Sequence, residues 1–387
     1  LSAKPRRAPR ARLLLESGAV TEGEDVAARV EVRNDDEADV VAVVNARVSP
    51  WVRLRYGVGS YAEVLSHQAS TSVWLRGVAR RWGVHQIGPA SVYAVAADGL
   101  LRSRVTRLPA QPLRVYPAAE LFDSREALPR AAGMAGIHRS RRLGQAGELA
   151  EVRQFQPGDR LRRIDWRVSL RQRELYVNST LSERDADVVL LMDVLHEAGD
   201  PGGPGGSAEG SVMDVAVRAA AAIAEHYVHQ GDRISIVEFG PRARRLRAGT
   251  GRRHYLAARE WLAETRAAPG AGVSMDRLVG GGSLPPGSVV VMLTPLLDER
   301  SAHGLARLAR SGRALVTVDT LPPNAGPDYR GIWTRPAVGL WRLERENTLD
   351  RLRELGVPVE TWRGPGSLDA MLRHISRIDR APKAATR

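Results

Sequence analysis

The sequence predicts an α+β protein with several domains, an N-terminal β-sandwich followed by a doubly wound α/β domain. Three observations predict it. Apolar and polar residues alternate in short segments up to about residue 118, and apolar runs alternate with helical patterns from about residue 186. The 387 residues are 43% hydrophobic, which is enough apolar material for two cores. We therefore predict a tail at 1–11, a sandwich at 12–118, an Arg-rich connecting segment at 119–185, an α/β domain at 186–380 and a tail at 381–387.

The sandwich prediction depends on alternation with a period of two. Val26, Ala28, Val30 and Val32 share one face of a segment whose other face is largely charged. The following Asn-Asp-Asp sequence is typical of a turn. Further short strands are predicted at 40–48, 52–56, 72–75, 91–96 and 113–115.

The α/β prediction depends on the order of the later segments. Residues 187–192 form a continuous apolar run, as in a buried parallel strand, and an Ala-rich helix is predicted at 212–230. Strands are then predicted at 233–239, 288–293, 314–319 and 357–362, and helices at 254–265, 302–310, 349–355 and 368–378. Strands that alternate with helices at this spacing predict a mostly parallel sheet covered on both faces.

Composition excludes several kinds of chemistry. The chain has no cysteine, which excludes disulfides, thiolate nucleophiles and cysteine-bound zinc. Lys4 and Lys383 are the only lysines, so no Walker A loop or Schiff-base lysine lies within the folded region. No G-x-S-x-G elbow occurs either. We predict no catalytic residues, and hence a protein that is not an enzyme.

The net charge of +13 is unevenly distributed. Basic residues are concentrated in residues 1–12, 137–184 and 242–253. One explanation is an anionic partner such as a lipid surface or nucleic acid, and another is the codon usage of a GC-rich genome. Aromatic residues are only 5% of the chain, which argues against base stacking, and no nucleic-acid partner is expected. Arg252 and Arg253 either hold an anion or form a solvated basic turn.

The start of the chain has two interpretations. The basic segment after Leu1 is typical of the cytoplasmic flank of a membrane helix, and it is equally typical of a disordered end. No run of about 18 apolar residues occurs, so the chain as given is expected to be soluble.

The most specific motif lies at residues 153–166 and reads R-x-F-x-P-G-D-x-x-R-x-I-D-W. In one interpretation it joins the two domains, with Trp166 as a buried anchor. In the other it is a partner-binding surface, since Arg and Trp are frequent in binding hot spots. Its hallmark residues are Arg153, Phe155, Gly158, Asp159, Arg163, Ile164, Asp165 and Trp166.

This motif resembles the hallmark of the bacterial domain-of-unknown-function family 58. The segments R-R-W-G-V-H-Q-I-G-P at 80–89, D-G-L at 98–100 and V-Y-P at 115–117 are similar to the same family. The α/β half resembles a von Willebrand factor A domain. The resemblance implies an accessory protein associated with a MoxR-type AAA+ ATPase and two membrane helices before the sandwich, with these domains on the cytoplasmic side of the cell membrane.

The resemblance also implies a position for a Mg²⁺ site, which this sequence departs from. Asp193 matches the first ligand, but Leu195 and Glu197 replace two serines, and Pro295 follows Thr294 where an aspartate is expected. Glu197 or Asp298 could substitute for the missing ligands. We predict a degenerate site at Asp193, Glu197, Thr294 and Asp298 without a functional metal, in which Asp193 orients the top of the sheet.

The predicted function is therefore protein–protein interaction by a scaffold that docks a MoxR-type ATPase or its client. Two alternatives remain from the residues: a Mg²⁺-dependent adhesion module that binds an acidic ligand, and a binder of anionic lipid or nucleic acid. The client, the biological process and the oligomeric state are not specified by the sequence.

Overall fold

The structure is a computed structural model of the 387-residue chain. It describes residues 7–56, 59–96, 100–118, 143–154, 166–172, 174–181, 187–199, 210–229, 231–270, 275–280, 282–285, 288–322, 325 and 331–362. In 143–154, 177–181, 276–277 and 280 only the backbone is described.

The N-terminal region is built from strands, as predicted. They are β1 (Arg10–Leu15), β2 (Ala19–Thr21), β3 (Asp25–Arg33), β4 (Val40–Val48), β5 (Val52–Leu54), β6 (Ser60–Leu65), β7 (Ser70–Ala79), β8 (Gly83–Ala96), β9 (Leu101–Arg102), β10 (Thr106–Leu108) and β11 (Gln111–Tyr116). One sheet has the order β1-β3-β7-β5 and the other β2-β11-β8-β4-β6, with β9 and β10 also paired to β8. The first strand begins at Arg10, two residues inside the predicted tail.

The two sheets share one apolar core. The alternation predicted for residues 26–32 is confirmed, because Val26, Ala28, Val30 and Val32 are at most 4% exposed. They pack with residues of the second sheet, such as Val44 and Val92. Each strand therefore contributes every second side chain to the core, as expected for two sheets that cover each other.

The connecting segment contributes a short antiparallel pair and one helix. Strand β12 (Leu143–Gln154) pairs with β13 (Tyr176–Leu181), and α1 (Trp166–Gln172) lies between them in the chain. The hydroxyl of Ser169 fastens the helix to β13, since it accepts from the backbone N–H of Tyr176 at 2.8 Å.

The C-terminal region is a six-stranded sheet with helices on both faces. Its elements are β14 (Asp187–Asp193), α2 (Val212–His229), β15 (Arg233–Phe239), β16 (Arg245–Gly249), α3 (Gly251–Ala263), α4 (Met275–Gly280), β17 (Val289–Thr294), α5 (Glu299–Arg310), β18 (Ala314–Asp319), α6 (Thr334–Glu354) and β19 (Val359–Thr361). The strand order is β16-β15-β14-β17-β18-β19. All neighbouring strands are parallel except β16, an antiparallel edge strand.

Alternate residues of the central strand face opposite helix layers. Val188, Leu190 and Met192 belong to the core that includes α2 and α3, whereas Val189 and Leu191 belong to the core under α5 and α6. Both sets are fully buried. A continuous apolar run is therefore the expected sequence for β14.

Several elements differ from the sequence prediction: β1, β2, β6, β9, β10 and α4 were not predicted, and α6 and β16 differ as follows. Helix α6 begins at Thr334 rather than at 349, because Pro336 and Gly339 obscure the helical pattern. Pro336 lies in the first turn, where the missing N–H has no helical acceptor to lose. Strand β16 was not predicted, since Arg245 and Arg247 leave it without an apolar face. The helix predicted at 368–378 lies outside the described residues.

The two regions are joined by a buried contact. Trp82, which precedes β8, is 6% exposed and packs into the core that contains α2 and α3. Next to it, Arg81 Nε donates to Asp214 of α2 at 2.8 Å. Among the described residues, no helix combines the length and the apolar composition that crossing a bilayer requires.

Candidate functional site at the carboxyl ends of β14 and β17

The sheet has a topological switch point between β14 and β17. After β14 the chain continues to α2 on one face of the sheet, and after β17 it continues to α5 on the other face. Connections that diverge in this way leave a crevice at the carboxyl ends of the two strands, where ligands of open α/β sheets bind. Asp193 ends β14 and Thr294 ends β17, so the sequence places one carboxylate and one hydroxyl at this crevice.

Asp193 is buried at the centre of the site and is held by three donors. Its Oδ2 accepts from Thr294 Oγ1 and from Ser301 Oγ, each at 2.6 Å, and its Oδ1 accepts from the N–H of Leu195 at 3.0 Å. The side chain is 2% exposed. Burial raises the pKa of Asp193, and the hydrogen bonds from Ser301 and Thr294 oppose that shift.

The three residues that follow Val194 in the loop after β14 contact three different parts of the domain. Leu195 is 1% exposed and packs in the core, so it contributes only its backbone N–H. His196 Nε2 lies 3.0 Å from Asp298 Oδ2. Glu197 accepts from the N–H of Met213 in the first turn of α2 at 3.2 Å, and burial raises its pKa.

Asp298 begins α5 as its N-cap residue. Its Oδ1 accepts from the backbone N–H of Arg300 at 2.8 Å and from Arg300 Nε at 2.9 Å, and its Oδ2 accepts from Arg300 Nη2 at 2.7 Å. These contacts with Arg300 hold the pKa of Asp298 far below its usual range, so the carboxylate stays ionised. Arg300 Nη1 donates to the carbonyl of Gly270 at 2.8 Å.

The structure thus brings three of the four residues of the predicted degenerate metal site to one edge of the sheet. They are Asp193, Thr294 and Asp298, whereas Glu197 turns away towards α2. Among the described residues, no group of three or more His, Asp or Glu side chains is arranged to hold a metal ion. The residues present do not fit a divalent cation, because the oxygens of Asp193 and Asp298 already accept from protein donors.

Sequence reasoning missed the residues that satisfy these carboxylates. Ser301, Arg300 and His196 were not singled out, although Asp298 followed by a helical pattern is a recognisable N-cap signal. That signal would have begun α5 at Glu299 and placed Ser301 in its first turn. The distance of 108 residues between Ser301 and Asp193 explains why pattern reasoning did not pair them.

A cleft of about 630 Å³ lies beside the switch point, between α5 and α6. Leu296, Asp298 and Ala302 line one wall, and Trp341 and Arg345 line the other. Arg345 Nη2 binds Asp319 at 2.6 Å and the carbonyl of Pro295 at 3.2 Å, which ties α6 to the ends of β17 and β18.

Helix α6 also presents apolar side chains to solvent. Trp333 is 76% exposed, Leu340 is 61% exposed and Leu343 is 59% exposed, and Ile332 just before the helix is 87% exposed. Trp333, Leu340 and Leu343 recur at the spacing of one helix face. A cluster of large exposed apolar side chains on a monomer is typical of an interaction surface.

The hallmark motif lies mostly outside the described residues. Phe155, Gly158, Asp159, Arg163, Ile164 and Asp165 belong to this undescribed part, and Arg153 is described by its backbone in β12 only. Trp166 begins α1 and is 62% exposed, and Leu170, one turn later, is 79% exposed. Trp166 is therefore not the buried anchor of the first interpretation.

The Arg-rich segment at 242–253 divides into two groups. Arg244 is paired with Glu238 at 3.2 Å and stacks on Trp261. Arg245, Arg247, Arg252 and Arg253 are exposed and form no ion pair with a described residue. Thr250, the N-cap residue of α3, forms no side-chain cap; its hydroxyl donates instead to Gly231 O at 3.2 Å.

Comparison with known proteins finds relatives that match part of this chain. Uncharacterized proteins of Mycobacterium bovis and Mycobacterium tuberculosis are 33% identical to it over 137 residues, which is 35% of this chain and 41% of each relative. The chain thus spans about two fifths of the length of these curated relatives.

Solved structures resemble this chain only weakly. A fragment of Escherichia coli alpha-2-macroglobulin matches with a TM-score of 0.24 at 16% identity, over 28% of this chain and 17% of that chain. The PapD-like domain 7 of human CEP192 matches with a TM-score of 0.21 at 13% identity, over 30% and 92% of the two chains. In sequence, the model of the family described as protein of unknown function DUF58 matches residues 151–324 of this chain.

Proposed function

We propose that this chain is a non-enzymatic accessory protein whose C-terminal region is a von Willebrand factor A-like interaction domain. The strand order, with one antiparallel strand at the β16 edge, supports this proposal. So does the position of Asp193 at the end of the first central strand, next to Thr294 from the neighbouring strand.

The observation that carries the proposal is the row of exposed apolar side chains on α6. Leu340 and Leu343 lie on α6, and Trp333 is its N-cap residue; the same helix forms one wall of the cleft beside the switch point. An apolar row next to a cleft suits a protein partner, because burying these side chains on association is favourable. The exposed Trp166 and Leu170 of α1 offer a second apolar contact of the same kind.

The proposed partner is a MoxR-type AAA+ ATPase or one of its clients, with the full-length protein anchored in the cell membrane. Both elements come from the resemblance of the hallmark motif. Any ATP hydrolysis would belong to the partner, because a Walker A lysine is absent from the folded part of the sequence.

The test is binding of the purified chain to a MoxR-type ATPase from the same genome. The double variant Leu340→Ser, Leu343→Ser is expected to weaken binding at least about tenfold, which corresponds to about 1.4 kcal/mol. Trp166→Ala tests the contact at α1 in the same assay. Leu256→Ser is the matched control, because Leu256 is a leucine 46% exposed on α3, away from the α5–α6 cleft. Equal binding by the double variant and the control would refute the proposed surface.

A second candidate function is binding to an anionic membrane surface. It is favoured by Arg245 and Arg247 on β16 and by Arg252 and Arg253 at the start of α3, which are exposed and without ion-pair partners among the described residues. Binding to vesicles that contain phosphatidylserine should then fall steeply with salt. It should also be lost on Arg245→Glu with Arg247→Glu, and retained on Arg307→Glu with Arg310→Glu in α5.

A further inference from the structure

The two carboxylates at the switch point have almost no free acceptor positions. A carboxylate offers about four lone-pair positions. Asp298 fills its four with the N–H, Nε and Nη2 of Arg300 and with Nε2 of His196, at 2.7 to 3.0 Å. Asp193 fills three with Thr294, Ser301 and the N–H of Leu195.

The hydroxyl between the strands is also engaged, with its proton and one of its two lone pairs in hydrogen bonds. Thr294 Oγ1 donates to Asp193 and accepts from the N–H of Leu296 at 3.0 Å. A Mg²⁺ ion needs oxygen ligands with free lone pairs in a near-octahedral arrangement. At this site it would first have to displace several protein hydrogen bonds.

The positive charge at the site comes from Arg300. Its guanidinium is fixed at three nitrogens, since Nε and Nη2 bind Asp298 and Nη1 binds the carbonyl of Gly270. A guanidinium is charged throughout the physiological pH range. It neutralises Asp298 and is near enough to Asp193 for a favourable electrostatic interaction.

We infer that Arg300 is a built-in cation that takes the place of a divalent metal at the switch point and excludes one from it. The two carboxylates of the site then serve to hold the loop after β14 and the start of α5 in one arrangement. Binding of a protein partner at this edge needs no metal. The inference concerns ion binding by this chain alone and does not depend on the identity of the proposed partner.

The experiment measures Mn²⁺ binding to the whole chain by calorimetry, with binding at this site defined as the part that Asp193→Asn abolishes. The wild type is expected to show none. Arg300→Gln removes the charge and frees Asp298, and we expect it to bind Mn²⁺ at this site with an affinity at least about tenfold above the upper limit set by the wild type. Arg300→Lys keeps a positive charge and should still exclude the ion. Arg310→Gln, on the last turn of the same helix, is the control for loss of an arginine.

Each outcome decides the inference. Mn²⁺ binding by the wild type that is lost in Asp193→Asn would overturn it. Absence of binding in both the wild type and a folded Arg300→Gln variant would also overturn it, because Arg300 would then not be the excluding group. Should Arg300→Gln fail to fold, Arg300→Met, which keeps the aliphatic part of the side chain, replaces it in the same comparison.

Discussion

Arg218 of α2 and Glu22 form a bidentate ion pair across the junction of the β-rich region and the α/β region. Arg218 Nη2 lies 3.0 Å from Glu22 Oε1, and Nε lies 3.1 Å from Oε2. The Glu22 side chain has no exposed surface. Its oxygens also accept from the N–H of Trp82 and the N–H of Ala118. One carboxylate thus joins a helix of one region to two segments of the other.

Removing the arginine should destabilise the chain strongly. Arg218→Ala leaves the buried carboxylate of Glu22 without its counter-charge, and loss of one partner of a buried pair costs about 3–5 kcal/mol. Urea denaturation measures the change in the free energy of unfolding. Arg353→Ala is the control, because its pair with Asp350 is exposed, and such pairs contribute about 0–1 kcal/mol. Similar small losses in both variants would contradict a structural role for the Glu22 pair.

The hydroxyls of Thr294 and Ser301 should contribute more to the free energy of unfolding than the hydroxyl of a buried threonine that does not bind Asp193. Thr294→Val and Ser301→Ala each remove a donor from a buried carboxylate, and we expect each to cost about 1–3 kcal/mol. The stability cost of the double variant should differ from the sum of the two single costs, because both hydroxyls donate to the same oxygen of Asp193. Thr317→Val is the control: the Thr317 hydroxyl is buried without a hydrogen-bond partner in the described part of the chain, so its removal should be nearly neutral. Equal costs for all three single variants would argue against the Asp193 network.

The fold class could be predicted from patterns that act locally. Residues 233–239 and 314–319 were predicted as strands with the bounds that the structure has, because both segments are rich in the β-branched and aliphatic residues typical of buried strands. Strand β16 was not predicted. It is an edge strand without a buried apolar face, so Arg245 and Arg247 give its sequence no pattern typical of a strand. The domain boundaries at 118 and 186 remain predictions.

The candidate site was predictable only in part. Asp193 and Thr294 follow recognisable strands, so their proximity follows from the parallel order of β14 and β17. The orientation of the Glu197 side chain towards α2 was not predictable. It depends on a hydrogen bond from the N–H of Met213, and no sequence pattern links these two residues. The position of Arg300 was not predictable either, since it donates to the carbonyl of Gly270, which lies 30 residues earlier in the chain.

Stability should depend on pH through Asp193 in a direction opposite to that of a salt-bridged carboxylate. Burial raises its folded-state pKa above the ordinary value of 3.8. Between the two values the native protein keeps a proton that the unfolded chain has lost, so the stability contributed by this group falls as pH rises through that window. The difference in free energy of unfolding between the wild type and Asp193→Asn should therefore decrease by about 1.4 kcal/mol for each unit that separates the two pKa values. Asp350→Asn, in an exposed position, supplies the baseline, and a difference that grows with pH would contradict the prediction.

Trp82 should couple the two regions, because it belongs to one by sequence and to the core of the other by packing. It is 6% exposed and lies in the cluster that includes Val217 and Ala220 of α2. Trp82→Ala opens a cavity at the junction, and truncation of a buried tryptophan costs about 3–5 kcal/mol. Trp74→Ala is the control: Trp74 of β7 is half-buried, lies against Arg29 and Arg76, and is not a member of the core that contains α2 and α3. Among the described residues, Trp82 is the one member of this core that comes from the β-rich region, so its loss should split thermal unfolding into two transitions in calorimetry. The Trp74 variant should keep the pattern of the wild type, and a single transition in Trp82→Ala would mean that the ion pairs of Glu22 and Asp214 suffice to couple the regions.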